Sequence, residues 1–146
     1  MRTWIVIVTM LMSFSLQTHA ATAPSHQQMQ RAQQDYARYC AACHGKSGEG
    51  RTGPALKGSP IVTGPMGASI HFVITGESHT KMPAWGLTAL SDDMIAEVLT
   101  YVRNSWGNNN VKQYGKNAGG VVTPALVKKY RGMLRSIPDK KKVQTL

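Results

Sequence analysis

The 146-residue sequence predicts a helical protein, and three observations lead to that prediction. Segments beginning at Ser25, Ser91 and Thr123 each combine an N-cap residue with apolar residues at helical spacing. Glycines suited to helix ends, Gly45 and Gly107, follow the first two segments. No strand pattern precedes the two cysteines of the chain, which stand at the end of the first segment.

The first predicted helix starts from Ser25-His26-Gln27-Gln28, which is typical of a capping box. One face of this helix then carries apolar and thiol residues at helical spacing, namely Met29, Ala32, Tyr36, Cys40 and Cys43. We therefore predict a single helix that carries both cysteines into the interior at its C-terminal end. Ala32 and Tyr36 are expected to be ordinary core residues.

The stretch Cys40-Ala41-Ala42-Cys43-His44 is the central motif of the chain. Its spacing suits covalent haem, in which two cysteine sulfurs add to the porphyrin vinyl groups and the following histidine binds iron. Zinc is a weak rival, because the chain has two cysteines and a structural zinc site takes four ligands. A thioredoxin-like dithiol would follow a strand of a βαβ unit. The motif thus indicates one haem c attached to Cys40 and Cys43, with His44 as proximal ligand.

A glycine-rich loop follows, with Gly53-Pro54-Ala55-Leu56 as its stiff point. An iron-bound histidine needs an acceptor for its other ring nitrogen, and Pro54 offers a carbonyl on a backbone of fixed φ. We therefore predict that the Pro54 carbonyl accepts a hydrogen bond from His44 and that Leu56 packs on the haem. A short helix over residues 68–75, ended by Gly76, is predicted next.

The loop between Gly76 and Gly86 has no apolar periodicity and contains the expected sixth iron ligand, Met82. A methionine on a loop before Pro83 has no evident packing duty, and its soft thioether favours ferrous iron. Three other side chains are alternative ligands: Met66, His71 and His79.

The helix beginning at Ser91 is predicted by its N-cap, its acidic first turn and its apolar stripe. Ser91 is the predicted N-cap, and Asp92 and Asp93 suit the positive end of the helix dipole. Its apolar stripe should cross the first helix at the small residue Ala32. The stripe consists of Met94, Ile95, Val98, Tyr101, Val102 and Trp106.

Thr123-Pro124 predicts the start of a final helix, with Thr123 as N-cap. One stripe of this helix is apolar and the remainder is basic, and Lys140-Lys141-Lys142 follows it. One interpretation is a surface helix packed on the core with a solvated end. The other is a basic arm that docks on an acidic protein or an anionic membrane surface.

The net charge of +10 is unevenly distributed, and the N-terminus has the features of a targeting segment. Residues 21–110 carry seven basic and six acidic residues, whereas residues 111–146 carry nine basic and one acidic.

Arg2, the apolar run Trp4–Leu16 and Ala20 together predict a signal peptide cleaved after Ala20, with Ala23 as the lesser site. The apolar run is shorter than the ~20 residues of a bilayer span, so a retained anchor is the weaker interpretation. Export to the periplasm makes nucleic acid a poor partner.

The order of Cys40–His44, Gly53-Pro54, Met82-Pro83 and the late helix Val98–Tyr101 resembles the class I c-type cytochromes. That resemblance implies a small all-α fold around one haem, with His44 and Met82 as axial ligands and Pro54 orienting His44. Here the fold would carry an extra C-terminal helix and basic tail.

Three shorter stretches are similar to the cytochrome c domains of oxidase subunits and of periplasmic dehydrogenases: Met82–Trp85, Tyr101–Asn108 and Val122–Pro124. This similarity, which covers about residues 27 to 131, adds Trp85 to the expected haem pocket. The polar stretch Asn109–Gly120 departs from the family pattern. Without a fused catalytic or membrane module, the large redox partner is expected to be a separate protein.

The resemblance implies a periplasmic one-electron carrier without catalytic residues, serving redox proteins with acidic docking surfaces. The alternative is a dedicated cytochrome subunit of a dehydrogenase or terminal oxidase complex. A haem enzyme or sensor would require that Met82 leave the iron open. We expect residues 1–20 to be the signal peptide, 21–108 the cytochrome domain, 109–122 a polar linker, and 123–146 the final helix and tail.

Overall fold

The structure is a computed structural model that describes residues 23–136. Within that range the chain forms eight helices and no strand, which confirms the all-α prediction. The helices are α1 (His26–Tyr39), α2 (Ala41–His44), α3 (Pro60–Thr63), α4 (Met66–Thr75), α5 (Trp85–Thr88), α6 (Asp92–Asn104), α7 (Val111–Tyr114) and α8 (Pro124–Arg135). The predicted signal peptide and the run Lys140–Lys142 lie outside the described residues.

Helix α1 begins with the predicted capping box. The Ser25 hydroxyl accepts the Gln28 backbone N–H at 3.2 Å, and the Gln28 side chain accepts the Ser25 N–H at 3.0 Å. The prediction of one continuous helix to Cys43 is wrong, because α1 ends at Tyr39, and Cys40, whose φ of −119° departs from the usual helical value, separates it from α2. The chain then forms the one-turn helix α2, so the two cysteines lie on a bend rather than on one straight face.

Helix α6 is the centre of the fold. Its predicted cap is present, with the Ser91 hydroxyl accepting the Met94 N–H at 3.2 Å. One side of α6 packs on α4 and α8 and the other crosses α1, where the buried residue Ala32 allows the close approach that we predicted. The first core cluster contains Ile70, Ile74, Leu90, Ile95, Ala96, Leu99, Val122 and Val127. The second contains Ala32, Tyr36, Ala41, Val62, Val98, Tyr101 and Val102.

Arg103, near the end of α6, is fully buried and joins two distant segments to the helix. Its guanidinium donates to the carbonyls of Val62 and Gly64 on one side and of Asn117 and Gly119 on the other. Burial lowers the pKa of Arg103. The main-chain carbonyls satisfy the buried cation, and they hold Asn117 and Gly119, within the predicted linker, beside α6. Helix α7, in the same stretch, has no buried residue.

Helix α8 packs on the core along its apolar stripe. Thr123 caps it as predicted, accepting the Leu126 N–H at 3.2 Å, and Val127 is fully buried. Arg131 donates to Asp92 at 2.7 Å and ties α8 to the start of α6. The outward residues of α8 include Lys128, Lys129, Met133 and Arg135, so its solvent face is basic.

No helix among residues 23–136 has the length and apolar character needed to cross a membrane.

The contact between α4 and α8 depends on a missing side chain. A Cβ on Gly67 would overlap the Tyr130 hydroxyl, whereas a Cβ on Gly132 would meet no atom within 4 Å. We predict that Gly67→Ala destabilises the protein as isolated by about 1–3 kcal/mol through overpacking. Gly132→Ala is the matched control, and it should stabilise the protein by about 0.5–1 kcal/mol because alanine is the better helix former. Urea unfolding measures both, and equal effects would contradict the tight α4–α8 contact.

Candidate functional site

Tyr36 anchors the cysteine-histidine turn, which consists of residues Cys40–Gly45. Gly45 ends α2 with φ 84°, a value that favours glycine, and its carbonyl accepts the Tyr36 hydroxyl at 2.6 Å. Burial raises the pKa of Tyr36, so the phenol stays protonated and able to donate. Tyr36 is therefore more than the packing residue that we expected, since it fixes the end of the turn that contains His44.

Three aromatic rings enclose the same turn. Tyr36, Tyr101 and Trp106 lie with ring centroids 5.2–5.6 Å apart. Trp106 has a positive φ of 55°, which is rare outside glycine, and its ring covers Gly48 so closely that a side chain there would overlap it. The end of α6 thus packs directly on the loop that follows His44.

His44 is buried, and its ring is oriented by the predicted hydrogen bond. Nδ1 lies 2.8 Å from the Pro54 carbonyl oxygen, which confirms the predicted contact. A carbonyl can only accept, so Nδ1 carries the proton and Nε2 of the neutral ring has a free lone pair. Gly53 leaves room for the ring, because a Cβ there would stand 3.0 Å from His44 Cε1.

Cys40 and Cys43 are partly exposed, and no disulfide joins them. Burial, followed by the nearby Asp35 carboxylate and Cys43, raises the pKa of Cys40 to about 12. Redox-active dithiols instead depend on a lowered thiol pKa. The environment of Cys40 therefore disfavours the thioredoxin-like alternative. In the described part of the chain, no three His, Cys, Asp or Glu side chains form a metal cluster.

The donor set fits haem c. Two unpaired thiols precede a histidine whose Nδ1–H is already engaged and whose Nε2 is available as a ligand. When bound, the haem supplies an iron that exchanges one electron between its ferric and ferrous forms.

Met82 lies half-buried on the loop that connects α4 to α5. The Glu77 N–H donates a long hydrogen bond to the Met82 carbonyl at 3.4 Å, and the Thr80 hydroxyl accepts the Met82 N–H at 3.1 Å. Gly76, with φ 67°, allows close contact, because a Cβ there would stand 2.6 Å from the Met82 oxygen. The loop is thus fixed to the end of α4, which begins two residues earlier than predicted and ends, as predicted, before Gly76.

The other predicted residues lie in different surroundings. Leu56 packs with Cys40 against the second core cluster, whereas Trp85 packs against the first and meets Tyr39 edge-on at 5.5 Å. Met66, the alternative ligand, also packs against the first cluster, with its methyl group near Gly120. His71 stacks edge-on with Phe72 at 5.8 Å, and His79 is exposed.

Two residues at the end of α6 were missed as contributors to this region. The sequence analysis included Arg103 and Asn108 only within the similar stretch Tyr101–Asn108, although both side chains are fully buried and hydrogen-bonded to distant loops. An asparagine next to glycine is typical of a turn, and that was the sole sequence signal for Asn108.

Tyr36→Phe tests the anchor above the turn. Loss of the phenol leaves the buried Gly45 carbonyl without that partner, so we expect a loss of about 1–3 kcal/mol in the free energy of unfolding of the haem-bound protein. Tyr39→Phe is the control, because the Tyr39 hydroxyl has no hydrogen-bond partner among residues 23–136; it should change stability by less than about 0.5 kcal/mol. Equal losses in urea titrations would show that the Gly45 contact contributes nothing.

Comparison with known proteins identifies the family. Residues 27–102, about half of the chain, match the family described as cytochrome c oxidase, cbb3-type, subunit III. The chain is 34% identical over 108 residues to the cytochrome c subunits of the quinone alcohol dehydrogenases of Gluconacetobacter polyoxogenes and Komagataeibacter europaeus, covering 66% of this chain and 21% of each relative.

It is also 34% identical over 87 residues to the gluconate 2-dehydrogenase cytochrome c subunit of Pantoea cypripedii, covering 50% of this chain and 19% of that protein. The chain therefore spans about one fifth of the length of these relatives. The family match, the all-α fold and the C-x-x-C-H turn agree, and the chain belongs to the cbb3-type subunit III family as an electron-transferring c-type cytochrome domain with covalently attached haem c.

Proposed function

We propose that this protein is an exported, periplasmic monohaem carrier that passes single electrons between redox proteins. Cys40 and Cys43 would hold the haem through thioethers, and His44 would bind iron through Nε2. The hydrogen bond of His44 Nδ1 to the Pro54 carbonyl supports this proposal most directly, because it leaves Nε2 as the available nitrogen. No residue would act in making or breaking substrate bonds.

We assign Met82 as the second axial ligand, and Leu56 and Trp85 to the haem pocket. Met82 is half-buried on a loop held by the close approach of Gly76, which supports a fixed ligand position. A methionine sulfur on both oxidation states of iron keeps the ligand set unchanged during transfer, so little reorganisation accompanies each electron. The protein contributes ligand identity and a dry environment rather than acid–base chemistry.

The axial ligand is tested by the spectrum of the ferric protein, which shows a weak long-wavelength band when methionine sulfur is bonded to iron. We predict that wild type has this band, that Met82→Ala loses it, and that the control Met66→Ala keeps it. Rapid binding of cyanide by Met82→Ala should accompany the loss. A wild type without the band would favour an open-iron enzyme or sensor, and loss in Met66→Ala alone would make Met66 the ligand.

A dedicated subunit is the second candidate function. The relatives at 34% identity are cytochrome c subunits of a quinone alcohol dehydrogenase and of a gluconate 2-dehydrogenase, which favours a place in a larger oxidoreductase. Purification under mild conditions separates the two candidates. A stable stoichiometric complex indicates a subunit, whereas a monomer that accepts electrons from several donors indicates a carrier.

We also propose a division of the chain into four segments. We propose that residues 1–20 are a signal peptide removed after Ala20, that residues 21–108 form the cytochrome domain, and that residues 109–122 connect it to the final helix. The basic solvent face of α8 is defined by Lys128, Lys129 and Arg135, and the sequence after α8 adds the charges of Lys140–Lys142. This face would dock on an acidic protein surface, or on anionic lipid, and so accelerate association.

Charge reversal tests the docking face. We predict that Lys128→Glu with Lys129→Glu slows oxidation of the reduced protein by membranes of the source cells at least about tenfold at low salt, and that added salt reduces the difference. Lys112→Glu with Lys116→Glu makes the same charge change on exposed residues outside α8 and is the control. Equal slowing by both pairs would show that net charge, and not this face, governs the encounter. Co-sedimentation with anionic vesicles then distinguishes lipid from protein.

A further inference from the structure

The orientation of His44 depends on a loop that packing alone does not hold. Pro54, whose carbonyl accepts the His44 proton, is exposed, as is its neighbour Ala55. On one side of Pro54, the loop is held by the segment that follows the cysteine-histidine turn: the Leu56 and Lys57 N–H groups both donate to the Gly48 carbonyl at 2.9 Å. On the other side of Pro54, the Gly53 N–H donates to the Cys43 carbonyl at 2.9 Å. Both attachments lie within the segment from Cys43 to Lys57, so neither of them ties the loop to α6.

Asn108 supplies an attachment from outside this segment. Its Oδ1 accepts the Gly58 N–H at 2.7 Å, and its Nδ2 donates to the Leu56 carbonyl at 3.3 Å. Nδ2 also donates to the Val102 carbonyl at 2.8 Å. These partners define the amide orientation, because an N–H cannot accept and a carbonyl cannot donate.

Asn108 is itself rigidly held. It is fully buried, and its backbone N–H donates to the Ser105 carbonyl at 2.9 Å. The Val102 carbonyl belongs to the last turn of α6, where main-chain acceptors have no partner within the helix. Asn108 therefore caps α6 and clamps the Leu56–Gly58 backbone with one side chain. The left-handed residues Trp106 and Gly107 turn the chain back so that Asn108 reaches this position.

We propose that Asn108 is a positioning residue for His44. By holding Leu56 and Gly58 against the end of α6, it keeps the Pro54 carbonyl on Nδ1 and so maintains the donor strength of the histidine. The link runs from the Val102 carbonyl through Asn108 and the loop to His44, and each step is a hydrogen bond or a covalent neighbour. This inference rests on the proposed role of His44 as the proximal ligand.

Asn104 provides a matched control on the same helix. Its Nδ2 donates to the Thr100 carbonyl at 2.7 Å and to the Gly120 carbonyl at 2.8 Å. Asn104→Ala and Asn108→Ala therefore each remove an asparagine that donates to two carbonyls near the end of α6. Only Asn108 touches the loop that contains Pro54.

The test measures solvent exchange of the His44 Nδ1 proton by NMR in the reduced haem-bound protein, with the Leu99 amide as the reference for global opening. Relative to that amide, we expect Asn108→Ala to accelerate exchange of the Nδ1 proton about tenfold or more, and Asn104→Ala to leave it unchanged. The reduction potential should rise only in Asn108→Ala, because a weaker hydrogen bond makes histidine a poorer donor to ferric iron. If Asn108→Ala does not yield folded protein, Asn108→Asp retains the size and the Gly58 acceptor, removes both donations, and should show the same pattern.

Equal exchange and equal potentials in the Asn108 and Asn104 variants would overturn the positioning role while leaving His44 as ligand. Failure of the underlying function has a different signature in wild type. If the His44 ring protons lack the large upfield ring-current shift of an axial ligand, the assignment of His44 and the role of Asn108 are both refuted.

Discussion

Burial of helix α6 on two faces is the constraint on which the remaining structure depends. Ile95 and Leu99 enter one core cluster with α4 and α8, whereas Val98 and Tyr101 enter the other with α1. The helix therefore fixes the attachment turn and the C-terminal helix relative to each other. An apolar stripe that faced only α1 would leave α8 packed against α4 alone. Because α6 is buried on both faces, the basic helix α8 packs on the same core cluster as α4.

The C-terminal end of α6 is where the polar interactions concentrate. Arg103 satisfies carbonyls from two distant segments, and Asn108 satisfies groups of the loop beside His44. Main-chain acceptors at a helix end need partners, and loops without regular structure need them equally. Two buried side chains meet both needs at once. The same two side chains connect the loop beside His44, and the chain around Asn117 and Gly119, to α6.

Charge and redox chemistry occupy different parts of the molecule. Residues 21–110 are close to neutral, and the positive charge is concentrated after residue 111. The cysteine-histidine turn lies on α2 and its loop, while the exposed lysines of α8 lie on a helix that packs against α4 and α6. The charge of α8 can therefore change without a direct change to the cysteine-histidine turn.

The helix caps and the hydrogen-bond acceptor of His44 could be predicted from the sequence, because the interacting residues are close along the chain. The caps at Ser25, Ser91 and Thr123 each join residues three apart, and the Pro54 acceptor was inferred from the fixed φ of proline ten residues after His44. Only the tertiary structure decided the break at Cys40, the anchoring of the turn by Tyr36, and the clamp by Asn108. Asn108 contacts groups 50 and 52 residues away, and no periodicity or spacing encodes a pairing at that range. The sequence by itself determined the cofactor, the helices and their caps, whereas packing decided which buried polar groups meet, since each had several possible partners until the helices were brought together.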